Sequence, residues 1–125
     1  LVQDLMAAIR ASQAVKIYVC NIATQAGETE AYTCSDHVAA LEQAIGDDVF
    51  QVIVCNMCYE GNLGAGVQWV RLDEHMAQDG RSYGADLIDH DHPWRHDAGK
   101  LAQTIMDLYN ERTGPLEKDL ATQSR

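Results

Sequence analysis

The stretch NIATQAGETEAYTCSDHV, Asn21 to Val38, carries Thr24, Gln25, Glu28, Thr29, Ser35, Asp36 and His37 directly after the apolar run VKIYVC. Hydroxyls, amides and carboxylates at this density serve one of two ends. They satisfy the backbone at a turn and a helix start, or they surround a polar ligand. Thr33 or Ser35 suits the N-cap position, where a hydroxyl accepts from the N–H groups a first turn leaves over. Asp36 within that turn suits the positive end of the helix dipole. Gly27 supplies the freedom a turn needs. Capping thus explains Thr33 to Asp36. It leaves Thr24-Gln25 and Glu28-Thr29 unexplained, just beyond a strand end, where binding loops of α/β proteins gather.

Two other clusters have metal-ligating residue types. Cys55 and Cys58 form a C-x-x-C, and Cys20 and Cys34 complete four thiols. Structural zinc normally takes two short-spaced hooks, and only one is present. Cys20 and Cys55 also fall inside apolar runs, where a thiol acts as a small hydrophobe. In DHDHPWRHD, Asp89 to Asp97, three histidines alternate with acids around Pro93. The simpler reading is a loop entering a helix at Asp97, with Trp94 packed down as a lid on the core. His75 alone reads as surface. YEGNLGAG, Tyr59 to Gly66, lacks the G-x-G-x-x-G spacing of a phosphate loop and reads as a flexible edge of a cleft near Asn56. No metal site is expected.

The elements that must position these residues follow from periodicity. LVQDLMAAIRAS is an amphipathic helical pattern, VKIYVC a strand, and Val38, Leu41 and Ile45 a second helical stripe stopped by Gly46. VFQVIVC, Val49 to Cys55, is the next strand. KIYVCN and QVIVCN are echoes of each other, ending at Asn21 and Asn56. Their interval fits one βαβ unit, and continuous apolar runs suit parallel strands buried on both faces. Asn21 and Asn56 then emerge side by side at the carboxyl ends of neighbouring strands, where open α/β sheets bind ligands. VQWVRL reads as a third strand and YGADLID as a short fourth. Asp97 caps a last helix with Leu101, Ile105 and Leu108 inward, widened by Met106 and Tyr109. The segment from Thr113 reads as a tail or docking piece.

At 125 residues the chain is one domain's worth. A net charge of −10 with no basic run argues against a nucleic-acid partner. It does not exclude an anionic small ligand, since backbone N–H groups at a helix start bind phosphate without basic residues. No apolar run is long enough for a membrane span, no basic-then-apolar stretch reads as a signal peptide, and a cytoplasmic location is expected. The lack of Met at position 1 and the opening straight into a helix read as a fragment.

KIYVCNIATQAGETEAYTCSDHVAAL resembles the signature of the bacterial gluconeogenesis-factor family, the CofD/YvcK-like relatives of 2-phospho-L-lactate transferase. Their pattern is a strand ending in Asn, a Thr-Gln-Pro-Gly-Glu-Thr loop and a Ser-Asp-His helix start. It falls on Asn21, Thr24, Gln25, Gly27, Glu28, Thr29, Ser35, Asp36 and His37, with Ala26 in place of Pro. RHDAGKLAQTIMDL, from Arg95, resembles the family's closing helix, with Ala98 in place of Pro.

The resemblance implies a Rossmann-like three-layer α/β sandwich with a mainly parallel sheet. It covers residues 1–112 as the carboxyl-terminal part of such a domain, with 113–125 as a tail. Lacking the family's first glycine-rich unit, the sheet is expected to be incomplete and the chain to form a homo-oligomer through its open edge. The resemblance further implies a nucleotide-type ligand, a UDP-sugar in the gluconeogenesis-factor branch, whose members support cell-wall synthesis and cell shape. Asn21, Thr24, Gln25, Gly27, Glu28, Thr29 and Asn56 would face it, supported by Ser35, Asp36 and His37. The alternative is a transferase resembling the phospholactate enzyme, with Mg2+ on a nucleotide diphosphate and Asp36 and Glu28 as the carboxylates to nominate.

Overall fold

The computed structural model describes residues 2–25 and 32–113. Gly27, Glu28 and Thr29 lie outside the described residues, as do 114–125 of the expected tail. The centre is β3, Val52–Asn56, buried at every residue as its unbroken apolar run requires. β1, Ile17–Val19, runs parallel to it with Ile17 opposite Val52. β5, Ser82–Ala85, runs parallel on the other side with Val54 opposite Tyr83, giving the order β1-β3-β5. The expected βαβ unit is present.

Alternation along β3 divides the core between two faces. Ile53 and Cys55 join Cys20, Cys34, Val38, Val70 and Met76, the last four drawn from α2 (Cys34–Ile45), the chain after Trp69 and the short α3 (Glu74–Ala77). Val52 and Val54 join Ile22, Leu87, Ile88 and Leu108, the last from α4, Ala98–Thr113. Helices on both faces of a parallel sheet make the three-layer α/β sandwich. Each fully buried Val or Ile contributes about 1.5–3 kcal/mol through the area it removes from water. The amino-terminal α1, Val2–Ala11, is mostly exposed, with Met6 and Ile9 half-buried.

Several sequence expectations need correction. VQWVRL does supply a strand, as expected, but outside the parallel sheet. Its strand β4, Val67–Trp69, pairs antiparallel with β2, Ala23–Gln25, in a separate two-stranded ribbon. DHDHPWRHD is not a loop. His92–His96 forms β7, paired antiparallel with β6, Ile88–Asp89. The Asp89 carboxylate accepts from Asp91 N–H at 3.0 Å and Arg95 Nε at 3.2 Å, which staples the turn. Trp94 is 50% exposed, so it is no lid. Met106 and Tyr109 face outward, because only Leu101, Thr104, Ile105 and Leu108 share the inward stripe of α4. Asp97 does start that helix, accepting the Lys100 N–H at 2.9 Å.

Candidate functional site

The first turn of α2 is the most heavily bonded part of the motif. Thr33 is the N-cap, and a capping box joins its hydroxyl to the Asp36 N–H while Asp36 Oδ2 accepts the Thr33 N–H at 2.9 Å. Cys34 N–H donates to the Arg71 carbonyl at 2.9 Å. Ser35 N–H donates to Asp73 Oδ1 at 3.0 Å, and the Ser35 hydroxyl donates to Asp73 Oδ2. The four N–H groups that a helix start leaves over are therefore all satisfied from within the chain. Phosphate binding at this turn, which the sequence admits, has no donors left. Burial pushes the Asp73 carboxyl up, but the Ser35 hydrogen bonds outweigh it and hold it below the usual range.

Asn56 sits at the carboxyl end of β3, 1% exposed. Its Oδ1 accepts the N–H groups of Cys58 and Leu87, each at 3.1 Å, and its Nδ2 donates to the Cys58 carbonyl at 2.6 Å. The amide that the sequence offers to a ligand is spent joining the loops after β3 and β5. Asn56 shapes the site from behind. Asn21 is exposed after β1.

Beyond β1 the chain enters the β2–β4 ribbon, where Thr24 lies opposite Gln68 and Gln25 opposite Val67. Thr24 is 8% exposed. Against this ribbon lies a cavity of about 430 Å³, lined by Tyr32, Thr33, Val67, Gln68, Trp69 and Arg71. Behind it, the Tyr59 hydroxyl donates to the Asn56 carbonyl at 3.0 Å and accepts the Leu72 N–H at 2.8 Å. Burial raises the Tyr59 hydroxyl, so it stays protonated for this bridge.

His37 packs edge-on against Tyr32, ring centres 5.4 Å apart, and its buried Nε2 has no hydrogen-bond partner among the described residues. Burial holds its pKa below the usual 6.5, overriding the nearby Asp36 charge. His96 Nε2 lies 3.3 Å from the Cys20 carbonyl, linking the β6–β7 hairpin to the end of β1. Burial lowers it too, against that hydrogen bond.

Among the described residues no three His, Cys, Asp or Glu side chains are placed to hold a metal ion. Cys20, Cys34 and Cys55 are free thiols at 0% exposure in one core cluster. Hydrogen bonding to Cys20 and Cys55, together with burial, pushes the Cys34 thiol far up. The C-x-x-C is split, with Cys55 inside and Cys58 half-exposed.

The structure thus places the backbone of Thr24 and Gln25 in the ribbon that borders this cavity and Thr33 in its lining, and it adds Tyr32, Gln68, Trp69 and Arg71 to that lining and Asp73 against Ser35, residues that sequence reasoning missed. The alternation of Trp69 and Arg71 about the fully buried Val70 is the signal that could have found two of them.

The family model for 2-phospho-L-lactate transferase CofD matches residues 1–113. A gluconeogenesis factor from Halalkalibacterium halodurans is 30% identical over 116 residues, covering 86% of this chain and 36% of that protein. A second relative, from Thermotoga maritima, is 34% identical over 116 residues, covering 84% of this chain and 37% of its own length. The crystal structure of a UPF0052-family protein from Bacillus halodurans superposes with a TM-score of 0.74 at 29% identity, over 85% of this chain and 37% of that one. The chain therefore spans little more than a third of these relatives.

Proposed function

This chain belongs to the 2-phospho-L-lactate transferase CofD family, and on that premise we propose that it supplies part of a UDP-sugar site in a regulatory protein of the gluconeogenesis-factor type. Such a protein would link carbon metabolism to cell-wall synthesis and cell shape. One observation carries the reading: the β2–β4 ribbon sets Thr24 opposite Gln68 just past the carboxyl end of β1, against a cavity that holds Arg71. Amides there match the donor and acceptor edges of a base or sugar, and hydroxyls match phosphate oxygens. Asn21, Thr24 and Gln25, with Gly27, Glu28 and Thr29, would face the ligand. Asn56, Ser35, Asp36 and His37 would hold the frame.

The transferase alternative, with Mg2+ on a nucleotide diphosphate, has less support. Asp36, one of its two nominees, is engaged in the capping box. Self-association belongs to the same proposal: β1 lies at the edge of the three-stranded sheet, and edge strands recruit other strands. Light scattering showing a dimer would support it, and a monomer at working concentration would count against it.

Thermal unfolding of the full-length gene product with UDP-N-acetylglucosamine, UDP-glucose, or GDP plus magnesium tests the ligand. A ligand at about a hundred times its Kd adds about 2.7 kcal/mol. A rise in Tm with the UDP-sugars alone supports the regulatory reading. A rise only with GDP and magnesium moves the assignment to the transferase, and no rise with any of the three sinks both.

A further inference from the structure

The three-stranded sheet has a second edge, β5, whose one neighbour among the described residues is β3. Ile53 N–H donates to the Arg81 carbonyl and Met57 N–H to the Ala85 carbonyl, each at 2.8 Å. In a parallel ladder, alternate residues of a strand bond to the same side. Arg81, Tyr83 and Ala85 therefore face β3, and Ser82 and Gly84 turn their backbone groups outward. Ser82 N–H is taken up by the Asp79 carbonyl at 3.0 Å. The Ser82 carbonyl and both polar groups of Gly84 stand along the edge. Every residue of β5 is half-buried, whereas every residue of β3 is buried.

Proteins guard such edges with a charged side chain, a Pro or a bulge. The four residues of β5, Ser-Tyr-Gly-Ala, include no charge and no Pro, and their register with β3 is unbroken. Beside the edge a groove runs to the last turns of α4. It consists of two cavities, about 320 and 430 Å³, which share Tyr83 and Glu111. Tyr83 and Leu108 supply apolar surface, and Asp107 and Glu111, both exposed, supply negative charge. Arg81 also lines the groove, but its guanidinium is held by Glu42 at 3.1 Å and Asp79 at 2.8 Å.

We propose that this edge accepts an extended basic segment of another protein, which joins the sheet as a strand beside β5 and sets alternate Lys or Arg side chains against Asp107 and Glu111. In strand addition the main-chain hydrogen bonds hold the segment and the alternate side chains select it. Charge decides between occupants. A second copy of this chain, with a net charge of −10, would bring its own Asp107 and Glu111 to the same edge. Like charges in close opposition disfavour that pairing. The surface is made of other residues than the ribbon cavity and does not depend on the ligand proposed there.

The blocked peptide Val-Lys-Val-Lys-Val-Lys, with Val-Glu-Val-Glu-Val-Glu as control, tests this on the full-length gene product by isothermal titration and amide hydrogen exchange. The lysine peptide should bind and the glutamate peptide should not. At saturation, exchange at Gly84 should slow about tenfold or more while exchange at Val54 is unchanged, since the edge amide is the one that gains a partner. The double variant Asp107→Asn, Glu111→Gln should bind the lysine peptide about three- to tenfold more weakly, the worth of two exposed ion pairs. Both side chains are exposed, so the variant keeps its fold. Binding that leaves Gly84 exchange unchanged overturns the strand addition, and so does equal binding of the two peptides or binding of neither. A Gly84 amide already protected in the free full-length protein would put a strand of that protein on the edge and overturn it too. A dimer that the double variant tightens would give the edge to a second copy instead.

Discussion

Asp73 holds Ser35 twice, accepting from its backbone N–H and from its hydroxyl, and so ties the start of α3 to the first turn of α2. The helix that carries the Ser-Asp-His motif is thereby set by a carboxylate from another element. Asp73→Ala should lower stability by about 1.5–3 kcal/mol, the worth of hydrogen bonds to a charged group, since both Ser35 donors lose their acceptor. A urea midpoint shift at unchanged slope would show it. Because the folded pKa of Asp73 is depressed, its contribution is complete above the unfolded carboxylate value and is lost as pH falls through the folded one. The wild type and Asp73→Ala should therefore begin to converge in stability as pH falls below 3.8 and meet only below the depressed folded value.

Asn56 offers a second test. Asn56→Ala removes the acceptor of the Leu87 and Cys58 N–H groups inside the core. The expected loss is about 2–4 kcal/mol, because buried donors are left unsatisfied. Amide exchange at Leu87 should accelerate more than exchange at Val54, in the middle of β3. Equal acceleration at both would mean global destabilisation without the local role.

His37 and His96 are both held below 6.5 by burial. The unfolded chain then binds protons first as pH falls, so their contribution is present above the unfolded value of about 6.5 and is lost below it. Tm should drop between about pH 7.5 and 5.5, and the double variant His37→Gln, His96→Gln should flatten that part of the curve. NMR titration of the two rings should give midpoints below 6.5. A midpoint above that value for either ring would refute its assigned burial.

The thiols should separate by reactivity. Cys58, half-exposed, should react first with a disulfide reagent, slowed because burial raises its thiol pKa. Cys20, Cys34 and Cys55, at 0% exposure, should react only with unfolding. Cys58→Ser should remove the fast phase; its persistence would place one of the other three at the surface.

The parallel pair was legible because VIVC and IYV are unbroken apolar runs, the pattern of strands covered on both faces, and the structure buries the first fully and the second by half. The Thr33 and Asp36 cap was legible because its residues are local. The ribbon was not, since its strands are three residues each and neither periodicity nor turn chemistry marks so short a pair. The Ser35–Asp73 link spans 38 positions, and nothing near either residue announces the other. Asn56 was read as ligand-facing because sequence places it at the right strand end but cannot say which way its side chain turns.

The order β1-β3-β5 also fixes how the chain can assemble. Ile17 must find Val52, and Val54 must find Tyr83, across intervals of roughly thirty residues or more, so no adjacent hairpin can seed the central sheet. The β6–β7 hairpin closes almost at once, but it lies outside that sheet. Loop-closure entropy is thus spent before the first long-range pairing returns any stability. Folding should wait on the meeting of β1 with β3, which places the rate-limiting event in the echoed strands KIYVCN and QVIVCN.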